Sequence, residues 1–429
     1  MGSRWKVNVR THIRGPKVIY FFMMGFASAL TFLKTMVFAA YLPPLSMGYY
    51  SIALTIASYG AFLQLGILSG LNRELPVTLG KGDITYSSNI VGETTVALVC
   101  LQLIGICLYY LILLTMPFTD ASLRTAFFLG GLLAFSTPLY SLIMVRLRSE
   151  QRVLSFAMLA LIESMATITL GTLAIVYVGY EAVILLSALI NALCFFIVTS
   201  KLLAPANYLH FKMKETIYLV RIGLPMMLAG LLANLQLSMD RLFLIKSAPP
   251  STIGIYHIGI LPLSMGVALG SIVNQYVGPR LLFKYGQGYS LPYIFKQNII
   301  VSFVIIVTLL LFWPVAYLGI RYVIENWLPQ YRGSLSIFSI SYFGAIFIAA
   351  NIGVITSAIN RQILSFYTAG LTVSLSYLCY MLVANYSITI RWYAYVNAGS
   401  QAVSFVVMIV LSYYLTRKYG AEKRIVPNG

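Results

Sequence analysis

Asp240 and Arg241 stand side by side inside NLQLSMDRLFLI, residues 234–245, near the end of a long apolar run. A charge at the centre of a membrane helix costs roughly 2.5–3.5 kcal/mol on insertion scales, and less toward the helix ends. A charged pair kept there needs a reason. The chemistry open to it is ion recognition: a guanidinium matches phosphate or carboxylate oxygens, and a neighbouring carboxylate can hold it in place. Asn234 and Ser238 precede Arg241 at helical spacing, and Gln236 stands four residues before Asp240, which predicts a polar helix face lining water or a cargo.

Further polar residues interrupt apolar runs. Lys34 lies in the first run at a depth similar to that of Arg241, so the two could present cations to one anionic cargo. The competing reading is that both long side chains snorkel outward and that Asp240 merely pairs with Arg241. Glu163, in LALIESMATITL, lies ten residues into its run, near the middle. An acid at that depth suits a proton relay or a cation site, or else a helix–helix hydrogen bond in its protonated form. Gln64, Asn191, Asn351 and Gln401 are polar as well, a type that also serves as glue between membrane helices. The candidate set is therefore Lys34, Gln64, Asn234, Asp240 and Arg241 for cargo and Glu163 for ion coupling, to H+ or Na+. Glu93 is expected one turn into its span, at the cytoplasmic interface.

Enzyme chemistry finds no footing. His12, His210 and His257 are far apart, and no acidic cluster suggests a metal. Gly80-Lys81-Gly82-Asp83 fails as a phosphate loop, which would need glycine where Leu75 stands and Ser or Thr where Gly82 stands. No cofactor is implied. Cys100, Cys107, Cys194 and Cys379 show no metal or redox spacing and are expected to be buried structural thiols.

The elements that must position these residues follow from composition. Of 429 residues, 59% are hydrophobic and 9% charged, against about a quarter charged in soluble proteins. Twelve apolar spans are predicted: 18–42, 47–71, 90–114, 126–145, 153–178, 182–203, 218–245, 253–277, 299–320, 335–358, 366–384 and 392–415. Each approaches the ~20 residues that cross a bilayer. The connections are short, and the first span is too long for a cleavable signal. Trp313, Trp327 and Trp392 are expected at membrane borders.

With the N-terminus placed in the cytoplasm, 22 of the 29 Lys and Arg fall in cytoplasmic segments. Only Arg124, Lys246, Arg321, Arg332 and Arg391 fall outside, and Lys34 and Arg241 stay within spans. That asymmetry predicts both termini cytoplasmic and accounts for the net charge of +18. The basic residues are scattered over seven short segments, which argues against nucleic acid as a partner.

The chain also resembles itself. Displaced by 206 residues, Pro43-Pro44 falls on Pro249-Pro250, Gly48 and Tyr50 on Gly254 and Tyr256, Ser58 and Gly60 on Ser264 and Gly266, and Gly80 and Gly82 on Gly286 and Gly288. From Ala27 to Gly82 there are 12 identities in 56 columns, eight of them Pro, Gly, Tyr or Ser. The same offset sets Lys34 against Asp240 and Thr35 against Arg241. Six spans separate the copies, an even number, so both enter the membrane in the same direction. The expectation is an all-α polytopic membrane protein of twelve transmembrane helices in two parallel six-helix lobes, residues 1–208 and 209–429, around a central cavity.

At this point the residues resemble a known group. Gly66-Ile67, Leu71-Asn72-Arg73-Glu74-Leu75 and Gly80-Lys81-Gly82-Asp83 are similar to the end of the second helix in polysaccharide flippases of the multidrug/oligosaccharidyl-lipid/polysaccharide exporter (MOP) superfamily. Gly223-Leu224-Pro225, Met239-Asp240-Arg241-Leu242-Phe243, Gly254-Ile255-Tyr256 and Pro279 resemble the start of the second lobe. The nearest type is the O-antigen flippase. The resemblance implies a V-shaped pair of six-helix bundles in the bacterial inner membrane. These would move undecaprenyl-pyrophosphate-linked repeat units for lipopolysaccharide biosynthesis to the periplasmic leaflet by alternating access, as an antiporter. It implies a cationic cavity for the head, with Asp240-Arg241 carried over from the motif, and a tail left among membrane lipids. It also brings in an O-antigen polymerase and a chain-length regulator as partners. The 31 tyrosines could stack on sugars or anchor at interfaces. The alternatives are a multidrug exporter, which should favour acids where Lys34 stands, and a lipid II or capsule-unit flippase of the same superfamily.

Overall fold

A polypeptide inside lipid must satisfy its own backbone, so long apolar runs become helices. The computed structural model describes residues 15–420 except 61, 81–82, 119, 151, 203–212, 287–288, 352–354, 356–362 and 386–388. The cations Arg4, Lys6, Arg10, Arg14, Lys81, Lys212, Arg361, Lys423 and Arg424, the histidines His12 and His210, Gly82, Gly288 and the expected boundary at 208/209 lie outside the described residues.

Fourteen α-helices are present among the described residues. They are α1 (Gly15–Tyr41), α2 (Pro44–Gly60), α3 (Ile67–Gly80), α4 (Ile84–Thr115), α5 (Ala121–Ser149), α6 (Val153–Tyr177) and α7 (Tyr180–Leu202). There follow α8 (Met213–Ser247), α9 (Pro250–Gly259), α10 (Leu261–Gly286), α11 (Leu291–Asn326), α12 (Ser334–Ala350), α13 (Ile363–Asn385) and α14 (Ile390–Gly420). Nine are long and apolar enough to cross a membrane, or ten when α9 and α10, bent by 44° at Ile260, count as one.

Two of the twelve expected spans, the second and the eighth, are each built from two helices, the eighth from α9 and α10. The second is split into α2 and α3, where Leu65 (φ 51°) and Gly66 (φ 81°) take the left-handed conformation and end the α2 hydrogen-bond ladder. Within the tenth, the described residues form the 17-residue α12. Helix starts carry familiar signals. Pro44 and Pro250 open α2 and α9, and the carboxylates of Asp83 and Asp120 accept hydrogen bonds from the backbone N–H groups of Tyr86 (3.0 Å) and Ser122 (2.9 Å).

The repeat is visible in the packing. Gly60 of α2 lies against Ala134 of α5, where an added Cβ would come within 2.2 Å of the Ala134 carbonyl oxygen. Its equivalent, Gly266 of α10, lies against Ala345 of α12, with 2.6 Å to that carbonyl oxygen. Helices α1–α7 and α8–α14 pack mainly among themselves and meet where α2 crosses α9 and where α3 lies along α8. One hydrophobic core runs through both groups at the end of the molecule that carries Pro44 and Pro250. At the opposite end the core is divided into two, one built mainly on α3–α7 and one on α10, α11 and α14.

Some expectations change. Cys100, Cys107 and Cys379 are exposed and Cys194 half-buried, on outward helix faces where lipid rather than water is the apolar neighbour. Glu93 lies nine residues past the start of α4 and is buried, because that helix begins earlier than the apolar run suggests. Trp327 caps α11 and Trp392 opens α14, whereas Trp313 sits inside α11.

Candidate functional site

The α8 helix sorts its polar residues by period. Asn234, Ser238 and Arg241 share one face, and that face meets α2. The Asn234 amide donates to the Ser58 hydroxyl at 3.2 Å. The Ser238 hydroxyl donates to the Asn234 carbonyl at 2.7 Å, so in its 2.6 Å contact with Tyr59 the tyrosine hydroxyl is the donor. Arg241 lies one turn further on. Its guanidinium donates to the Leu237 carbonyl at 3.3 Å, while its Nε has no hydrogen-bond partner and is 3.9 Å from an Asp240 carboxylate oxygen. Tyr59 and His257 are within its electrostatic reach.

Gln236 and Asp240 point the other way, into the bundle of α9, α13 and α14. The Gln236 amide donates to the Ser400 carbonyl at 3.0 Å and accepts from the Thr372 hydroxyl at 3.2 Å. Asp240 has no exposed surface. One carboxylate oxygen accepts from the Tyr256 hydroxyl at 2.6 Å and from the Asn397 amide at 2.8 Å, and the other accepts from the Arg241 backbone N–H at 2.7 Å. Tyr380 stacks between Phe243 and Tyr393 beside them, with centroids at 5.6 and 6.0 Å. The single polar face expected of α8 is thus two faces with different surroundings. A burial this complete is tolerable for a carboxylate because each oxygen has a donor.

In the N-terminal helices, Lys34 of α1 and Glu163 of α6 are each other's charged neighbours without a direct ion pair. Tyr140 and Cys194 complete the electrostatic surroundings of Glu163. Gln64 sits in the break between α2 and α3, with its amide oxygen buried and without a hydrogen-bond partner. Beside it the chain halves approach closely: a Cβ on Gly223 of α8 would lie 2.0 Å from the Gly66 carbonyl oxygen, and one on Gly70 would lie 2.3 Å from that of Leu219.

The structure therefore brings Asn234 and Arg241 to the α2–α8 boundary and sets Lys34 within electrostatic reach of Glu163. It turns Asp240 away from the boundary. Sequence reasoning missed Ser58, Tyr59, Asn397 and Tyr380 as partners. Tyr256 carried a signal, its place in the repeat opposite Tyr50, but nothing in that spacing tied it to Asp240.

A cleft of about 610 Å³ opens between the two groups of helices, bounded by α1 on one side and α10, α11 and α12 on the other. Phe32, Leu33, Met36, Met265, Leu269, Phe312, Val315 and Trp327 are among its lining residues. Leu33, Phe312, Val315 and Trp327 are also exposed on the outer helix surface, so the cleft opens sideways. Neither Lys34 nor Arg241 is among its lining residues. The α1 helix turns Leu33, Met36 and Val37 to the cleft, and Lys34 falls on the face packed against α6.

No family model matches the chain, and no curated protein matches it. Solved structures do. A mutant of the VcmN MATE transporter of Vibrio cholerae superposes with a TM-score of 0.62 at 15% identity, covering 94% of this chain and 96% of that one. An inward-facing multidrug resistance MATE family transporter of the MOP superfamily gives 0.59 at 15% identity, with 96% and 99% covered. A MOP superfamily transporter of Pyrococcus furiosus, described for the reverse polarity of its binding pocket, gives 0.56 at 15% identity, with 93% and 95% covered. The chain is an all-helical, multi-pass membrane protein with the fold of the MATE transporters.

Proposed function

We propose that this protein is a membrane transporter of the flippase type. Its cargo is a lipid-linked oligosaccharide with an anionic head, of the class of undecaprenyl-pyrophosphate-linked O-antigen units. The observation that carries the proposal is the cleft between α1 and α10–α12: it is almost wholly apolar and open sideways. A cargo with a long hydrocarbon tail can enter such a cleft from the bilayer and keep its tail in lipid. The guanidinium of Arg241, at the α2–α8 boundary with its Nε free of hydrogen bonds, is the cation offered to the pyrophosphate. Asn234 lies on the same α8 face as Arg241 and Gln64 in the break between α2 and α3, as further polar groups for the cargo, and Lys34 with Glu163 forms the ion-responsive element that couples the cycle to an H+ or Na+ gradient. In the bacterial inner membrane, with both termini cytoplasmic, the Pro44/Pro250 end faces the periplasm. The continuous core there and the divided core opposite then correspond to a form closed on the periplasmic side. A polymerase and a chain-length regulator are the protein partners this cargo requires.

The second reading, a multidrug exporter, is supported by the same fold, since solved neighbours are described as multidrug transporters. An apolar cleft of this size also falls within the range of small-molecule sites. One experiment separates the two: deletion of the gene, followed by fractionation of lipid-linked oligosaccharide and of surface polysaccharide. Accumulation of the lipid-linked unit with loss of surface polymer, reversed by the wild-type gene, supports the flippase. Unchanged polysaccharide together with increased drug sensitivity replaces it by the exporter.

A further inference from the structure

At the Pro44/Pro250 end, the cleft between α1 and α10–α12 is lined by Ala40 and Tyr41 of α1 and by Val323, Trp327 and Leu328 at the end of α11. The turn that joins α11 to α12, residues 327–333, bonds there to the opposite group of helices. The Gln330 amide donates to the Ala39 carbonyl at 3.3 Å, and the Tyr331 hydroxyl donates to the Leu42 carbonyl at 2.8 Å. Tyr331 has no exposed surface.

The acceptors are a product of the Pro43-Pro44 turn. A helical carbonyl takes its hydrogen bond from the N–H four residues on, and for Ala39 that residue is Pro43, which has none. Leu42 lies in the turn between α1 and α2, outside both helices. The donors are held as one body. The N–H groups of Trp327 and Leu328 return to the Val323 carbonyl at 2.8 and 3.2 Å, and the Tyr331 N–H returns to the Leu328 carbonyl at 2.9 Å. Gln330 and Tyr331 therefore move with the end of α11.

A Pro-Pro turn does not need such donors, as its second copy demonstrates. At Pro249-Pro250 the matching carbonyls are those of Ile245 and Ala248, and among the described residues no side-chain donor reaches either. The residues matching Gln330 and Tyr331 are Arg124 and Thr125, which lie within α5, and the Thr125 hydroxyl donates to the Ala121 carbonyl of its own helix at 3.0 Å. The bonds across the cleft belong to one copy only.

We propose that the α11–α12 turn is the latch of the cleft: Gln330 and Tyr331 hold α11 to the end of α1 while the Pro44/Pro250 end is shut, and both release their carbonyls when that end opens. The apolar contact of α2 with α9 holds the same end, but apolar contact is non-directional. A hydrogen bond is lost within about 1 Å of displacement, so the two bonds give the shut form a defined register. The latch rests on the reading of the protein as a transporter that opens at this end, and not on the identity of its cargo.

The test is double electron–electron resonance on the full-length chain in nanodiscs without cargo. Spin labels are placed at Leu45→Cys and Asn326→Cys, exposed positions on the two sides of the latch, with Cys100, Cys107, Cys194 and Cys379 replaced by serine. The starting protein is expected to give mainly one short distance. Tyr331→Phe and Gln330→Ala should each raise the ratio of long to short distances about two- to tenfold, the worth of one net hydrogen bond, and the double variant should exceed either. Tyr109→Phe is the control. It removes a tyrosine–carbonyl bond of 2.8 Å to Phe127 that stays within α4 and α5, and it should leave the distances unchanged. An unchanged distribution in the double variant overturns the latch. So does an equal shift in Tyr109→Phe, or a long distance that already prevails in the starting protein. Because no cargo is present, failure here leaves the flippase reading to the gene-deletion experiment.

Discussion

Gly48 and Gly254, 206 residues apart in the chain, pack reciprocally where α2 crosses α9. A Cβ on Gly48 would lie 1.8 Å from the Pro250 carbonyl oxygen, and one on Gly254 would lie 2.0 Å from that of Pro44. Each glycine meets the proline that is equivalent to its own, so the duplication in the sequence is also a contact between the copies. This is the crossing at which the continuous core of the Pro44/Pro250 end passes from one group of helices to the other.

Gly48→Ala and Gly254→Ala should therefore destabilise the protein, each by about 1–3 kcal/mol, because the obstructing atoms are backbone and cannot swing aside. Gly25→Ala and Gly319→Ala, where nothing lies within 4 Å of the added methyl, serve as controls. Thermal unfolding in detergent checks the prediction. Melting temperatures for Gly48→Ala that match the controls would show that the crossing gives way freely.

The Asp240 carboxylate, Tyr256 and Asn397 act as a unit, since one oxygen serves both donors. Truncating Asp240 to Ala leaves a buried hydroxyl and a buried amide without an acceptor, at about 1–3 kcal/mol each. Tyr256→Phe alone should cost less, and the double substitution should fall short of the sum by about 0.5–3 kcal/mol. Strict additivity in a double-mutant cycle would mean that the two side chains do not interact.

Arg241 should behave differently from Asp240, its neighbour in sequence. Its guanidinium makes one hydrogen bond, to its own helix, and lies 3.9 Å from the Asp240 carboxylate, which keeps three other donors, so Arg241→Ala should cost less stability than Asp240→Ala. If it holds a pyrophosphate, apparent affinity for the lipid-linked cargo should fall about ten- to hundredfold, as for loss of a charged hydrogen bond of about 1.5–3 kcal/mol. A proteoliposome flipping assay measured beside the melting temperature separates the two. A large loss of stability with unchanged transport assigns Arg241 a structural role.

Glu163→Gln should blunt the response of transport to an imposed proton or sodium gradient, and Lys34→Met should alter that response in a way that depends on residue 163. The two charges face each other across α1 and α6. A gradient response untouched by either substitution removes both from coupling.

At the Pro44 end, Tyr49 donates a hydrogen bond to Asp120, the cap of α5. That bond is the main reason the Asp120 carboxyl is held below its ordinary pKa, helped by the backbone N–H groups of Ser122 and Leu123 and opposed by partial burial. A carboxyl with a depressed folded-state pKa contributes stability that is present above its unfolded pKa and disappears as pH falls through the folded value. Acid should therefore erode stability below about pH 4, and Tyr49→Phe should lessen that erosion while lowering stability at neutral pH. An identical pH profile for wild type and Tyr49→Phe would show that the bond is not made in solution.

Much of the architecture is legible in the chain itself, because lipid imposes one rule: apolar runs of span length must be helical. Composition, the runs and the 206-residue repeat identify an all-helical membrane protein with duplicated elements. The Pro-Pro turns and the paired glycines mark where α2 and α9 begin and where they can touch. Hydrophobicity does not register the break at Leu65 and Gly66, since a left-handed pair leaves the apolar run intact while ending the helix. Nor does it distinguish lipid-facing from buried positions, and for that reason three of the four cysteines turned out to be exposed. The polar residues show the sharpest division between the two sources. Sequence identifies Lys34, Gln64, Glu163, Asn234, Asp240 and Arg241 as anomalies, because each stands in or beside an apolar run where burial is costly. Which way each one points depends on a rotation of about 100° per residue and on what the facing helix supplies. Only the packing of α8 against α2 on one side and against α9 and α14 on the other separates Arg241 from Asp240, and only the packing of α1 against α6 gives Lys34 to Glu163. Those partners are far away in the chain, and no local spacing can bring them together.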